Sequence, residues 1–320
     1  MPSSGKVRWG ILGPGRIAAR LVRGAERAAN VSLVAVGSRD RARAAEFART
    51  FGIARVHGSY EELLADPEVE AVYISVPNSL HHPLTMQALA AGKHVLCEKP
   101  YSRRPREVEE AFDAANARQL ILMEAFMWRH GPRLRRFMEL LPEVGELHSI
   151  RATFSFVLTT EGDARLESGL DGGSLMDVGC YCVSAARVVA GAEPASVYGV
   201  EDLAQTGVDR AFSGLLRFAS GPVAEIVAGF NSDHRSLEAI GSKANLLLVD
   251  PWLGEYGGMR LGDREIPVDS DDPYRLELEN VSAAILGDGK PLLGRADALG
   301  QARTIEALYC SAETGSAVSL

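Results

Sequence analysis

Two short motifs contain side chains that could move a proton. Glu98-Lys99-Pro100 ends an apolar run, and Asp177 and Tyr181 follow a Gly-Gly pair at the i, i+4 spacing that puts both on one face of a helix. Interconverting an alcohol and a ketone moves one proton as hydride passes to or from a nicotinamide ring. Tyrosine is a poor base at its reference pKa of about 10, and a nearby lysine favours the phenolate. Lys99, Asp177 and Tyr181 are therefore the predicted catalytic residues.

Each of these residues also has a simpler interpretation. Lys99 could be a solvated charge, but its place between a buried strand and a proline favours a functional role. Pro100 could follow a cis peptide bond. Asp177 could bind a substrate hydroxyl, orient the other two residues or cap its helix, and Tyr181 could be a core residue.

A glycine-rich turn near the start of the chain predicts a dinucleotide site. Gly13 and Gly15 follow an apolar strand and precede an amphipathic helix, as in the G-x-G-x-x-A pattern. Gly13 permits the tight turn and Gly15 the close approach of a pyrophosphate, while the helix amides face the phosphates. The residues predicted to hold the cofactor here are Gly13, Gly15, Arg16 and Ile17.

The end of the second predicted strand favours NADP(H) over NAD(H). A carboxylate at this point would bind the ribose 2′-hydroxyl of NAD, but the sequence reads Gly37-Ser38-Arg39-Asp40. Arg39 can pair with a 2′-phosphate and stack on adenine. Asp40 leaves dual use open, and Arg39 could also be an ordinary surface residue.

Further cofactor contacts are predicted at the ends of later strands. Pro77, Asn78 and His81 follow a core strand, so they belong to the carboxyl edge of the sheet, where ligands bind in this architecture. Glu98 and Lys99 end the next strand at the same edge.

The order of predicted elements indicates an α/β protein with two domains. Residues 1–125 alternate strands and helices, which predicts a doubly wound, Rossmann-type parallel sheet. Residues 126–320 contain runs of strands with few helices, which predicts an α+β domain with an open, mostly antiparallel sheet. One long helix is expected from about Ser174 to Val189. A closing helix at about 296–313 could pack on either domain.

Composition excludes several classes of partner. The 320-residue chain has a formal net charge of -8, which disfavours nucleic acid and anionic membranes. No apolar run approaches the ~20 residues of a membrane span, and the N-terminus lacks a signal core. The four cysteines lack the paired spacing of a zinc site. These features predict a cytoplasmic protein without a metal.

Taken together, the motifs resemble the glucose–fructose oxidoreductase / inositol dehydrogenase / rhizopine-catabolism (Gfo/Idh/MocA) family. The resemblance spans nearly the whole chain and includes the glycine turn, Pro77-Asn78 with His81, Glu98-Lys99-Pro100 and the Asp177…Tyr181 stretch. Many members have His where this chain has Tyr181. With tyrosine at this position, the chain resembles the branch containing glucose–fructose oxidoreductase, NADP-linked xylose dehydrogenases, dimeric dihydrodiol dehydrogenases and sugar-nucleotide 3-ketoreductases.

The resemblance implies an NADP(H)-dependent oxidoreductase acting on a small cyclic sugar or polyol, with aldose 1-dehydrogenation favoured. It also implies Lys99 as the catalytic lysine, and a homodimer or homotetramer formed through the C-terminal sheet. By position, Arg129, His130 and Arg165 are candidate substrate-binding residues, although both arginines could instead form surface or interdomain salt bridges. The alternatives are a ketoreductase of a nucleotide-linked keto-sugar, a dihydrodiol dehydrogenase and a non-catalytic NADP-sensing regulator.

Overall fold

A computed structural model describes residues 5–160 and 162–320 of the chain. The chain divides into two units, each built around its own sheet. The first unit runs to Ser102 and adds Arg106–His130 and Asp272–Ala298, and the second contains Arg103–Pro105, Gly131–Asp271 and Leu299–Leu320. This division differs from a single boundary at residue 125, because the chain returns to the first unit at Asp272.

The first unit contains a parallel sheet of six strands. Its spatial order is β3-β2-β1-β4-β5-β6, so the order reverses between β1 and β4, where α/β proteins bind ligands. The strands are β1 (Val7–Leu12), β2 (Val31–Gly37), β3 (Arg55–His57), β4 (Ala71–Ile74), β5 (His94–Glu98) and β6 (Leu122–Ala125). Apolar runs such as β4 are buried along their full length, as in a sheet covered on both faces. The predicted doubly wound sheet is confirmed.

Helices connect these parallel strands. They are α1 (Arg16–Ala25), α2 (Arg41–Phe51), α3 (Tyr60–Leu64), α4 (His81–Ala90) and α5 (Pro105–Ala117). Two of these helices are followed by a glycine in the left-handed conformation, Gly52 after α2 and Gly92 after α4. A residue without a Cβ adopts this conformation at low cost.

The second unit is built on a nine-stranded sheet in the order β14-β13-β12-β11-β7-β10-β9-β8-β15. Within this sheet, among the described residues, β7 and β10 form the only parallel pair and the other neighbours are antiparallel. The expected mostly antiparallel sheet is therefore confirmed. The strands are β7 (Leu147–Ser155), β8 (Pro194–Leu203), β9 (Asp209–Phe218), β10 (Val223–Gly229), β11 (His234–Gly241), β12 (Asn245–Val249), β13 (Met259–Leu261), β14 (Arg264–Ile266) and β15 (Val318–Ser319).

Two helices of the second unit lie on either side of its first strand, β7, in sequence. Helix α6 covers Pro132–Leu140, and α7 covers Cys180–Ala190. The expected helix from Ser174 to Val189 is not uniform, because Leu175–Gly179 forms a π-helical turn before α7 begins. Gly179 permits this turn to lie against β10, since a Cβ there would lie 3.1 Å from the Cβ of Ala228.

Two further helices lie near the C-terminal end of the chain, before β15. Helix α8 (Pro273–Leu286) packs on the first sheet, where Trp9 Nε1 donates to Ser282 Oγ at 3.0 Å. The sequence analysis did not predict this helix. Helix α9 (Arg295–Thr314) begins in the first unit and belongs to the second from Leu299 onward. None of the helices in the described part of the chain has the length and apolar character needed to span a bilayer.

Candidate active site

The glycine turn after β1 is fixed against the loop that follows β4. Gly13 has φ +92°, and a Cβ at this position would lie 2.7 Å from the Ser75 carbonyl oxygen. Ser75 Oγ donates to the Gly13 carbonyl at 2.8 Å. Any larger residue at position 13 would therefore push the two loops apart at the point where the strand order reverses.

Gly15 shows the opposite environment. It is the N-cap of α1, and a Cβ placed on it would have the Ser75 carbonyl oxygen, at 4.0 Å, as its nearest neighbour. The first turn of α1 has no side-chain cap and no acidic residue. Open space before an uncapped helix N-terminus, next to the exposed Arg16 and the half-buried Ile17, fits a dinucleotide pyrophosphate.

The end of β2 offers a hydroxyl and a guanidinium rather than a free carboxylate. Ser38 is 7% exposed and Arg39 is exposed. Asp40, the only acid in this stretch, accepts from Ala42 N at 2.9 Å and Arg43 N at 3.2 Å as the N-cap of α2. Because Asp40 is engaged by the helix, Ser38 and Arg39 remain the groups that could meet the ribose.

His81 joins two loops at the carboxyl edge of the sheet. Its Nδ1 lies 2.9 Å from the Pro100 carbonyl oxygen, and its Nε2 lies 3.0 Å from that of Val76. Burial, with a smaller contribution from the charge of Lys99, lowers the pKa of His81 to about 4 and outweighs the two carbonyls, which raise it. The side chain is 1% exposed, so it holds the Asn78 and Lys99 loops together instead of presenting a surface to a ligand.

The Glu98-Lys99-Pro100 loop is anchored by its glutamate. The Tyr73 hydroxyl donates to Glu98 Oε1, and Lys99 N donates to Oε2 at 3.2 Å. The Lys99–Pro100 bond is cis. Lys99 itself is half-buried at the end of β5, on the edge that also carries Gly13, Ser38 and Asn78.

A second buried carboxyl lies near Glu98. Glu277 of α8 is 1% exposed, and burial together with the charge of Glu98 raises its pKa well above the ordinary value. Burial, together with the charges of Glu98 and Glu277, also raises the pKa of Tyr274 well above its ordinary value. Since α8 was not predicted, neither group was a candidate, although Asp272 followed by Pro273 is a clear helix-start signal.

Arg129 and His130 lie in the first unit, apart from the other candidate substrate-binding residue. Arg129 Nη1 pairs with Asp297 Oδ1 at 3.3 Å, which matches the salt-bridge alternative. His130 is 8% exposed, and burial lowers its pKa to about 4. Both residues serve packing around α8 and α9 in this unit.

In the second unit the structure brings Arg165 and Asp177 together. Arg165 Nε lies 2.5 Å from Asp177 Oδ2, and its Nη1 lies 3.1 Å from Asp163 Oδ1. Burial alone would lower the pKa of Arg165, but the charges of Asp177 and Asp163 outweigh it and raise that pKa. Asp177 is thus held as a hydrogen-bond acceptor, and Asp163 is a site residue that the sequence analysis missed.

The glycine pair explains how this ion pair is built. Gly173 N donates to the Arg165 carbonyl at 2.8 Å, and Asp177 N donates to the Gly173 carbonyl at 2.9 Å. A Cβ on Gly172 would lie 2.4 Å from the Arg165 carbonyl oxygen. The turn thereby holds the backbones of both charged residues in one arrangement.

Tyr181 lies in an aromatic cluster. Its ring centroid is 5.3 Å from that of Phe154 and 5.8 Å from that of Trp252, and Phe154 and Trp252 are stacked on each other. Trp252 is fixed by its Nε1, which donates to the Thr153 carbonyl at 2.9 Å. Neither aromatic partner was predicted, since both lie far from Tyr181 in sequence and have no local motif.

A Rossmann unit whose glycine turn leaves space for a pyrophosphate, followed by a mostly antiparallel unit, is the architecture of an NAD(P)-binding protein. Residues 7–126 match the oxidoreductase family with an NAD-binding Rossmann fold, and residues 142–247 match the GFO/IDH/MocA C-terminal domain. The chain belongs to the Gfo/Idh/MocA family.

Individual relatives are dehydrogenases and reductases. The chain is 38% identical to D-xylose 1-dehydrogenase (NADP⁺) 2 of Haloferax volcanii, over 98% of this chain and 99% of that protein. It is 39% identical to trans-1,2-dihydrobenzene-1,2-diol dehydrogenase of Mus musculus, over 67% of this chain and 66% of that one.

Two solved structures have the same fold over nearly the full length. An aldose-aldose oxidoreductase from Caulobacter crescentus has a TM-score of 0.91 at 28% identity and covers 98% of this chain and 100% of its own. A 3-ketoreductase from Actinomadura kijaniata, in complex with NADP and TDP-benzene, has a TM-score of 0.90 at 30% identity and covers 96% and 98%. The chain is therefore an oxidoreductase of the sugar and polyol type.

Proposed function

We propose that this protein is an NADP(H)-dependent dehydrogenase that oxidises C1 of a small cyclic aldose. The observation that carries this proposal is the 2.5 Å ion pair between Arg165 and Asp177, because it supplies a fixed acceptor for a sugar hydroxyl four residues before Tyr181 in the chain. The 38% identity to an NADP-linked xylose dehydrogenase supports the same substrate class.

The proposed residue roles follow from the chemistry of each group. Tyr181 removes the proton of the reacting hydroxyl, and Lys99 is the catalytic lysine that the family resemblance implies. Asp177, held as a carboxylate by Arg165, accepts a bond from a substrate hydroxyl and so is not the proton carrier. The bound nicotinamide supplies the hydride acceptor.

The choice of NADP(H) rests on the end of β2. Asp40 Oδ1 is engaged as the cap of α2, which leaves this carboxylate less available to an unmodified ribose. Ser38 and the guanidinium of Arg39 suit a 2′-phosphate. The glycine turn holds the pyrophosphate through Gly13, Gly15, Arg16 and Ile17, and Pro77 and Asn78 border the nicotinamide.

A nucleotide-linked keto-sugar is the second candidate substrate, supported by the similarity to the 3-ketoreductase. The charge of the site favours the neutral aldose. The Arg165 guanidinium is already paired with Asp163 and Asp177, so its positive charge is neutralised and does not attract a diphosphate. A non-catalytic regulator would have no need for these groups.

A substrate panel tests the proposal. Purified protein with NADP⁺ and separate aldoses, inositols and dihydrodiols is followed at the absorbance of reduced nicotinamide, and keto-sugar nucleotides are assayed with NADPH. We expect turnover with one or more aldoses and a preference for NADP⁺ over NAD⁺. Turnover with keto-sugar nucleotides alone would favour the second candidate, and binding of NADPH without any turnover would favour the regulator.

We also propose that the protein forms a homodimer or homotetramer through the outer face of the nine-stranded sheet. Cross-strand neighbours on this face expose large apolar side chains, namely Tyr198, Val200, Leu215, Val223 and Val227. Leu215→Glu should lower the mass measured by light scattering to that of a monomer, and an unchanged oligomer would contradict this assignment. A cytoplasmic location stays a prediction from the sequence.

A further inference from the structure

The turn that carries Asp177 and Tyr181 is held by side chains from distant parts of the second unit. Leu175–Gly179 is a π-helical turn that passes into α7 at Cys180. Such turns interrupt the regular backbone ladder of an α-helix and recur at functional sites. The groups that stabilise this turn therefore decide where Asp177 and Tyr181 point.

The first anchor lies at the beginning of the turn. Asp209 is 2% exposed and accepts from Ser174 Oγ at 2.7 Å, Leu175 N at 2.7 Å and Tyr309 Oη at 2.8 Å. A Cβ on Gly173 would lie 2.1 Å from Asp209 Oδ1, so this glycine lets the turn meet the carboxylate. A carboxylate at this end also suits the helix dipole.

The second anchor lies next to Tyr181. Gln301 is 1% exposed, and its Nε2 donates to the Cys180 carbonyl at 2.7 Å. Its Oε1 accepts from Arg187 Nη1 at 3.0 Å, and Arg187 in turn pairs with Glu193 at 2.7 Å. The nitrogen and the oxygen of the Gln301 amide thus each have a hydrogen-bond partner. These two bonds fix the amide with its nitrogen toward Cys180.

Each anchor includes one residue of α9. Gln301 and Tyr309 lie on this helix, one facing each end of the π turn. We propose that Gln301 and Tyr309 are positioning residues for the redox reaction, which set the backbone of the turn that carries Asp177 and Tyr181. This inference rests on the proposed function, since it assigns these residues to that reaction.

Matched variants test each anchor. Gln301→Glu keeps the acceptor for Arg187 but replaces the donor to Cys180 with an oxygen, and Tyr309→Phe removes only the hydroxyl. The control is Thr304→Val on the same helix, because Thr304 is fully buried and its hydroxyl donates to the Gly300 carbonyl of its own helix, at 2.8 Å.

We expect kcat to fall about 10-fold or more in Gln301→Glu and Tyr309→Phe, since small displacements of reacting groups cost up to about 100-fold. KM and Kd for NADP(H) should stay within about twofold, because the dinucleotide turn lies in the other unit. Thr304→Val should keep wild-type kcat. A purely structural role would instead lower Tm and the fraction of protein that binds NADPH, with a wild-type kcat per NADPH-binding site.

Hydrogen exchange over residues 174–181 gives a readout that needs no activity. The variants should speed exchange in this segment, and Thr304→Val should not. Wild-type kcat with unchanged exchange in both variants would overturn the proposal, as would equal losses in the control. If the wild-type protein turns over no substrate, the proposed function fails, and unchanged exchange would still count against the anchors.

Discussion

The two units build their halves of the chemistry in different ways. In the first unit the candidate residues follow strand ends, and the turn at Gly15 leaves open space, with the nearest atom 4.0 Å from a Cβ. In the second unit the turn at Gly173 is closed, with Asp209 only 2.1 Å from a Cβ, and its functional groups are held by distant partners. The first arrangement suits a cofactor that enters and leaves, and the second suits reacting groups that must not move.

The largest expected effects separate the reacting groups from the cofactor turn. Tyr181→Phe and Lys99→Ala should each lower kcat about 10²- to 10⁴-fold, because each removes a group that moves or promotes the proton. Titration of NADPH fluorescence should give a Kd close to that of the wild type. Near wild-type turnover in both variants would remove the proposed mechanism.

A pair of glycine substitutions tests the open and closed turns directly. Gly173→Ala should cost about 1–3 kcal/mol of folding free energy, since it combines φ +121° with overpacking against Asp209, and should lower turnover. Gly15→Ala should leave Tm unchanged but weaken NADPH binding, because its methyl group fills space needed by the pyrophosphate. Thermal melts and NADPH titrations that ranked the two variants the other way would contradict the comparison.

The selectivity of the first unit for phosphate gives a smaller effect. Arg39→Asp should weaken NADPH binding about 10-fold, as expected for the loss of one hydrogen-bonded charge pair, with little change for NADH. The control is Arg49→Asp, another exposed arginine in the last turn of α2. Equal affinities of Arg39→Asp and wild type for NADPH would leave the selectivity without its proposed cause.

The smallest effect concerns stability in the first unit. Burial and Glu98 raise the pKa of Glu277 above its ordinary value of 4.5, so the folded protein binds a proton that the unfolded chain releases. The contribution of protonated Glu277 to the free energy of unfolding is present below pH 4.5 and is lost as pH rises toward the folded-state pKa. Glu277→Gln should therefore raise the free energy of unfolding at pH 8, and with it Tm, and change both little at pH 4. Exposed Glu46→Gln is the control, and a gain that did not depend on pH would be inconsistent with a protonated Glu277.

The same contrast explains what the sequence predicted. The glycine turn, the Lys99 loop and both sheets follow from local patterns, because strand ends and turns are encoded by adjacent residues. Three other features depend on residues that are distant in sequence and that only the fold brings together. They are the ion pair of Arg129, the burial of His130 and the bonds by which His81 joins two loops. Likewise, no local pattern links Tyr309 and Asp209 to Ser174, which lie on three separate elements.

Helix α8 and the π turn show two further limits. Asp272-Pro273 and Gly287 are ordinary start and stop signals, so α8 was readable from the sequence but was overlooked among the strands. The π turn at Leu175–Gly179 depends on Gln301 and Asp209, and a regular helix is what its sequence alone favours.

Transfer of an isotopic label tests the central claim most directly. An aldose carrying deuterium at C1 is incubated with the protein and NADP⁺, and the reduced cofactor is analysed by mass spectrometry. The account predicts one deuterium in NADPH and slower turnover than with the unlabelled sugar. Reduced cofactor without deuterium, or no reduction with any aldose, would contradict hydride transfer from C1.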